Sequence, residues 1–172
     1  TNALINRGST ATIDNLEGYG SKIYVVNDSK LEINKNAEFD YTTHLIVKNN
    51  SNATIDNLNA DYESKIYVVN NSELEINKNA EFDYGAHLIV KDSKLEINKN
   101  AKFYNGVHLI VEDNSNLNVA GEVKFDNSDT ELNNSSNANF KDKLTLFDSA
   151  MLLKNSSSLN VGGVADFTEI GR

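Results

Sequence analysis

A serine returns at near-constant intervals along the whole chain, at Ser9, Ser29, Ser51, Ser72, Ser93, Ser115, Ser136 and Ser157. Successive gaps are 20, 22, 21, 21, 22, 21 and 21 residues. The unit around it is clearest in Lys22–Phe39, KIYVVNDSKLEINKNAEF, and Lys65–Phe82, KIYVVNNSELEINKNAEF. A period this short holds one supersecondary unit, which cannot bury an apolar face alone and must stack on copies of itself. Eight units result, at about 1–20, 21–42, 43–63, 64–85, 86–106, 107–128, 129–149 and 150–172. They read as one domain.

Counting from the serine gives the conformation of each unit. Six and four residues before it come pairs such as Ile23/Val25, Leu45/Val47, Ile66/Val68 and Leu109/Val111, with Leu88/Val90 in a unit whose turn is one residue shorter. Two and four residues after it come Leu31/Ile33, Ala53/Ile55, Leu74/Ile76 and Leu95/Ile97. A third pair follows, as Ala37/Phe39, Ala80/Phe82, Ala101/Phe103 and Val123/Phe125; a deletion in the third unit brings Leu58/Ala60 there. Each pair is apolar–x–apolar, and a spacing of two is the signature of a strand. The expected fold is all-β: a single-stranded parallel right-handed β-helix (β-solenoid) of about eight coils with three short strands per coil. A leucine-rich repeat has a similar period, but Asp28 stands where it needs leucine and no segment has helical spacing. The left-handed hexapeptide helix needs about 18 residues per coil.

The turns agree. Asn27-Asp28-Ser29, Asn49-Asn50-Ser51 and Asn70-Asn71-Ser72 offer side chains that hydrogen-bond locally and tolerate left-handed backbone angles. Asn34, Asn77 and Asn98 share one slot and are expected to hydrogen-bond from coil to coil. The chain has no Cys, so disulfides and Cys-ligated metals are excluded. Its net charge of −9, with scattered Lys and Arg, argues against nucleic acid as a partner. No apolar run is long enough to span a membrane as a helix.

Coils of about 21 residues with apolar–x–apolar strands and Asn/Ser/Asp turns resemble those of bacterial surface adhesins, namely autotransporter passenger domains and filamentous-haemagglutinin-like β-helices. That resemblance covers the whole chain and is architectural. It implies a secreted protein at the bacterial cell surface. Turns of only about two to five residues leave no walls for a catalytic groove, so the expected role is non-enzymatic, with a host-cell or matrix receptor, or a second copy of itself, as partner.

The candidate binding surface is the outward side of the first strand. Between the inward pairs stand Leu4, Tyr24, Ile46, Tyr67, Ile89, Ile110, Glu131 and Leu152, seven of them apolar on a face that should meet water, and Val26 and Val69 widen it. Contiguous exposed apolar surface marks interaction sites, although strand propensity or a covering segment would also account for it. The other two outward faces are polar, for example Glu32, Glu75 and Glu96 on one and Glu38, Glu81 and Lys102 on the other. His44, His87 and His108 share a slot beside the stripe, and two imidazoles with no third ligand set no expectation of a metal. No cofactor is expected. Asn-x-Ser/Thr triplets follow from the turn composition. Two further readings stay open: a structural stalk that itself contacts nothing, and a polysaccharide-active β-helix enzyme using paired outward carboxylates. With no cap recognisable at either terminus, the chain is expected to be a fragment of a longer one, with residues beyond both ends.

Overall fold

The computed structural model describes residues 1–170, so the last two residues assigned to the eighth coil lie outside the described part. Among the described residues there are 22 strands and no helix. All strand pairs are parallel, and each joins one coil to the next. The eight first strands are Asn2–Ile5, Lys22–Val26, His44–Lys48, Lys65–Val69, His87–Lys91, His108–Glu112, Asp129–Leu132 and Ala150–Leu153, and they make one eight-stranded sheet in chain order. The remaining strands make the second and third faces. These two faces form one 14-stranded sheet because coils two and three run through the corner as single strands, Lys30–Asp40 and Asn52–Ala60. The expected break into separate strands is absent there. The register shifts between Ile33 and Asn36, where the third coil is one residue short.

The inward slots are those expected. Ile23, Leu45, Ile66, Leu88 and Leu109 are stacked by register, as are Val25, Val47, Val68, Val90 and Val111, and all are buried. The deleted third coil does bring Leu58 and Ala60 opposite Ala37 and Phe39. Large and small side chains alternate there, so each Phe packs over a small neighbour. Further along, Phe82, Phe103 and Phe125 stack with ring centroids 5.1 and 4.5 Å apart and planes within 9°. Full burial of such side chains contributes about 1.5–3 kcal/mol each. The first and last coils, with a neighbour on one side only, leave the same slots more exposed.

The rhythmic serine has a role that its turn position alone did not announce. Ser29, Ser51, Ser72, Ser115 and Ser136 are buried, and their hydroxyls form a spine through the corner between the first and second faces. The Ser29 N–H donates to Ser51 Oγ at 3.1 Å, Ser51 N–H to Ser72 Oγ at 3.2 Å, Ser72 N–H to Ser93 Oγ at 3.0 Å, and so on to Ser136. Each hydroxyl accepts a backbone N–H from the coil before it, at a corner where the strand ladder is interrupted. A buried backbone donor needs such a partner. The small residues ahead of the first strands (Ser21, Thr43, Ser64, Ala86, Val107, Ser128, Ser149) make a second, broken spine, with Val107 N–H on Ser128 Oγ at 3.1 Å. It breaks at Thr43, whose N–H donates to Asp40 O at 3.3 Å and leaves Ser64 Oγ buried without a partner, and again at Ala86, which has no hydroxyl to offer, so that Ser64 N–H donates to Asp61 O at 3.1 Å.

Asparagine ladders do exist, but not at Asn34, Asn77 and Asn98. Asn34 donates to Asp14 and Asn98 to Glu75, because the slot holds carboxylates nearby and those are the stronger acceptors. The ladder runs instead through the first turn, where Asn27 donates to Asn6, Asn49 to Asn27 and Asn70 to Asn49 at 2.8–3.2 Å. Asn27, Asn49 and Asn70 all have φ near +57°, the left-handed angle that asparagine tolerates best among residues with a side chain.

Candidate functional site

The outward residues of the first face fall into three columns along the solenoid axis. The first column is Lys22, His44, Lys65, His87 and His108; the second is Tyr24, Ile46, Tyr67, Ile89 and Ile110; the third is Val26, Lys48, Val69, Lys91 and Glu112. The stripe expected from the sequence is therefore continuous and in register. Strand alternation produces it, since every second side chain faces outward and the coil repeat places like positions over one another.

Contact between neighbouring coils half-buries Tyr24, Ile46, Tyr67, Ile89 and Ile110, and Val26 is 6% exposed. The stripe is a close-packed, shallow apolar floor; in the third column Val69 is half-buried and widens it, whereas Val26 is covered and adds almost no exposed surface. Lys22, Lys48 and Lys65 have no carboxylate within ion-pair distance among the described residues. Lys91 lies 3.6 Å from Asp113 and 4.0 Å from Glu112. Between coils two and five the strands of this face carry four lysines and no acid, in a chain of net charge −9. His44 reports that positive field: burial first, then Lys65 and Lys22, hold its imidazole below the usual histidine range. Tyr67 packs edge-on against His44 at 6.2 Å.

His87 and His108 are adjacent, their rings 5.2 Å apart and tilted by 43°. Burial, then His108 and Lys65, push the His87 pKa down, and Glu63 partly opposes this. The slot beyond His108 is filled by Asp129, a carboxylate the sequence reading did not place there, and it accepts the Ala150 N–H at 3.2 Å. A group of three acids, Glu73, Glu75 and Glu96, has carboxylates within 4.8 Å of one another on the second face. Lys94 bonds Glu96 at 2.6 Å there, and this pairing raises the lysine's pKa.

One feature escaped the sequence reading altogether. Tyr19, Tyr41, Tyr62 and Tyr84 line the corner where the third face turns into the first, and each is between 42% and 70% exposed. The last three stack with centroids 5.0 and 4.9 Å apart and planes 7° from parallel. Tyr41, Tyr62 and Tyr84 adopt φ of +44 to +46°, an uncommon angle for so bulky a residue. Each follows an aspartate, Asp40, Asp61 or Asp83, and the repeated Asp-Tyr pair was the available signal. Asp61 is the middle of that carboxylate column. Burial, reinforced by Asp83 and Asp40, pushes its pKa up to about 6. This corner is acidic and the first face basic, so the solenoid presents opposite charge on adjoining surfaces.

Comparison of the chain with protein families, with curated proteins and with solved structures gave no match.

Proposed function

We propose that the chain is a non-enzymatic binding module of the surface-adhesin kind, acting outside the cell and engaging its partner through the first face of the solenoid. The observation that carries this reading is the pairing of an apolar column, unbroken from coil two to coil six, with lysines of which three, Lys22, Lys48 and Lys65, have no acid within ion-pair distance among the described residues, confined to one of three faces. Neither of the other two faces combines the two. A flat surface built of rigid, mutually stacked strands loses little side-chain freedom when it is covered, which favours association. The architectural resemblance to secreted bacterial β-helices supports the extracellular setting, with a host-cell or matrix receptor as the partner and self-association as the second possibility.

The test replaces Tyr24, Ile46, Tyr67 and Ile89 together by Thr, which keeps strand propensity and removes the apolar floor. Far-UV circular dichroism should be unchanged, while adhesion to cells or matrix, or sedimentation as an oligomer, should fall. Undiminished binding by a folded variant would exclude this face, and absence of binding by the parent chain would favour the stalk.

A further inference from the structure

The lysines of the first face are not merely numerous; they alternate. Lys22 stands in the first column in coil two, Lys48 in the third column in coil three, Lys65 in the first column in coil four, and Lys91 in the third column in coil five. The strands KIYVV and HLIVK take turns, so the positive charge crosses from one side of the apolar column to the other at each coil. Along the axis the steps are about 4.8 Å, and lysines on the same side recur about every 9.6 Å. The two lysine columns are four residues apart along the strand, about 13 Å.

We infer that this zigzag is a binding site for an extended acidic polysaccharide, a 1,4-linked polyuronate ribbon lying along the solenoid axis. The inference rests on the reading of the first face as the binding surface and names its ligand class. A β-1,4-linked chain in its flat ribbon form turns over at every sugar, so its substituents point alternately to the two edges. Its advance per sugar is close to one coil step. One carboxylate per sugar would thus meet Lys22, Lys48, Lys65 and Lys91 in order. The sugar rings would lie with their C–H surfaces on Tyr24, Ile46, Tyr67 and Ile89. Tyr24 and Tyr67 supply the aromatic surface at every second sugar, and each is in register with a lysine-bearing position of its own strand.

The site also has an end. Beyond Lys91 the third column continues as Glu112, the second reaches Glu131 and the first reaches Asp129, which would repel a fifth and sixth carboxylate. In the other direction Asn2, Leu4 and Asn6 are neutral. Glu112 and Asp113 also compete for Lys91, making that lysine the weakest of the four contacts. The matching length is four sugars. Corner carboxylates Asp40, Asp61 and Asp83 together with Glu63 border the first column and disfavour any polyanion broad enough to spread over the edge.

The experiment titrates the chain with β-1,4-linked polymannuronate oligosaccharides of two to eight sugars, with neutral cello-oligosaccharides and with heparin, at low and at physiological salt. Affinity for polymannuronate should rise up to four sugars and then level off, exceed that for the neutral oligomer by roughly tenfold or more, and weaken with salt. The decisive variant exchanges residues within the third column, Val26→Lys with Lys48→Val and Val69→Lys with Lys91→Val. It keeps composition and charge but puts both lysines on the same coil. It should lose roughly tenfold for polymannuronate while binding heparin, whose shape does not follow the zigzag, as before. Equal loss for both polymers, or none, would overturn the inference. Should the exchange variant not fold, Lys48→Gln with Lys91→Gln is compared with Lys35→Gln and Lys78→Gln, outside the face; equal affinities would again overturn it. A parent chain that adheres through Tyr24 and Tyr67 yet ignores polymannuronate would refute this ligand and leave the binding face standing. A chain that does neither would refute both.

Discussion

The buried serine spine makes a contrast that a single pair of substitutions can measure. Ser51→Ala removes the acceptor of the Ser29 N–H, 3.1 Å away and buried, and no other acceptor lies in range of that donor. It also removes the hydroxyl's own bond to Asn49 O, but that carbonyl keeps the Asp28 N–H at 3.0 Å. One buried donor is therefore orphaned, which costs about 1–3 kcal/mol. Ser64→Ala is the same chemical change at a hydroxyl that is equally buried and bonds to nothing. It should be neutral or stabilising by up to about 1 kcal/mol, since a buried unpaired hydroxyl is already a debt of desolvation. The two variants should thus differ by about 2 kcal/mol in urea unfolding followed by far-UV circular dichroism. Stacked repeats do not always unfold in one step, so amide exchange supplies a local reading. The Ser29 N–H should exchange faster in Ser51→Ala, and no amide should do so in Ser64→Ala. If Ser51→Ala costs no more than Ser64→Ala, the spine does not stabilise the corner and the reasoning fails.

Two further expectations follow from packing and charge. Asp61 has its pKa raised in the folded state, so the folded chain binds its proton more readily than the unfolded one; its contribution falls as pH rises from about 4 through about 6. Asp61→Asn should therefore stabilise the chain at pH 7, by about 1 kcal/mol once solvent screening of a half-exposed group is allowed for, and should gain nothing at pH 3.5; thermal unfolding at the two pH values checks this, and an equal gain at both would contradict it. Phe103→Ala empties the middle of the three-ring stack and should cost about 3–5 kcal/mol, read from the urea midpoint.

The solenoid was legible because its pattern is redundant. Ile23/Val25 alone would be an ordinary strand fragment, but the same spacing eight times fixes the coil, the inward faces and even the deletion that brings Leu58 opposite Ala37. Details that depend on competition between acceptors were not. Asn34 looked like a ladder residue until Asp14 came within 3.2 Å of it. The columns of the first face could be counted in sequence, whereas the depth of Tyr24 and Tyr67 depends on how far their neighbours cover them. The tyrosine corner was missed because Tyr41, Tyr62 and Tyr84 sit at turn positions of left-handed backbone, where propensity points to Asn or Gly.

The first-turn asparagine ladder has a bearing on how such a chain can change length. Every amide in it points the same way, each donating to the coil before and accepting from the coil after. A coil cut out or copied in leaves that chain of donors closed, so the scaffold is indifferent to single-coil edits. The lysine alternation is not. Losing the fourth coil alone would set His44 beside His87 and Lys48 beside Lys91, placing two successive charges on the same side and leaving Lys22 alone on the other. Scaffold and surface thus obey different grammars: the backbone can be edited in steps of one coil, the charged face only in steps of two.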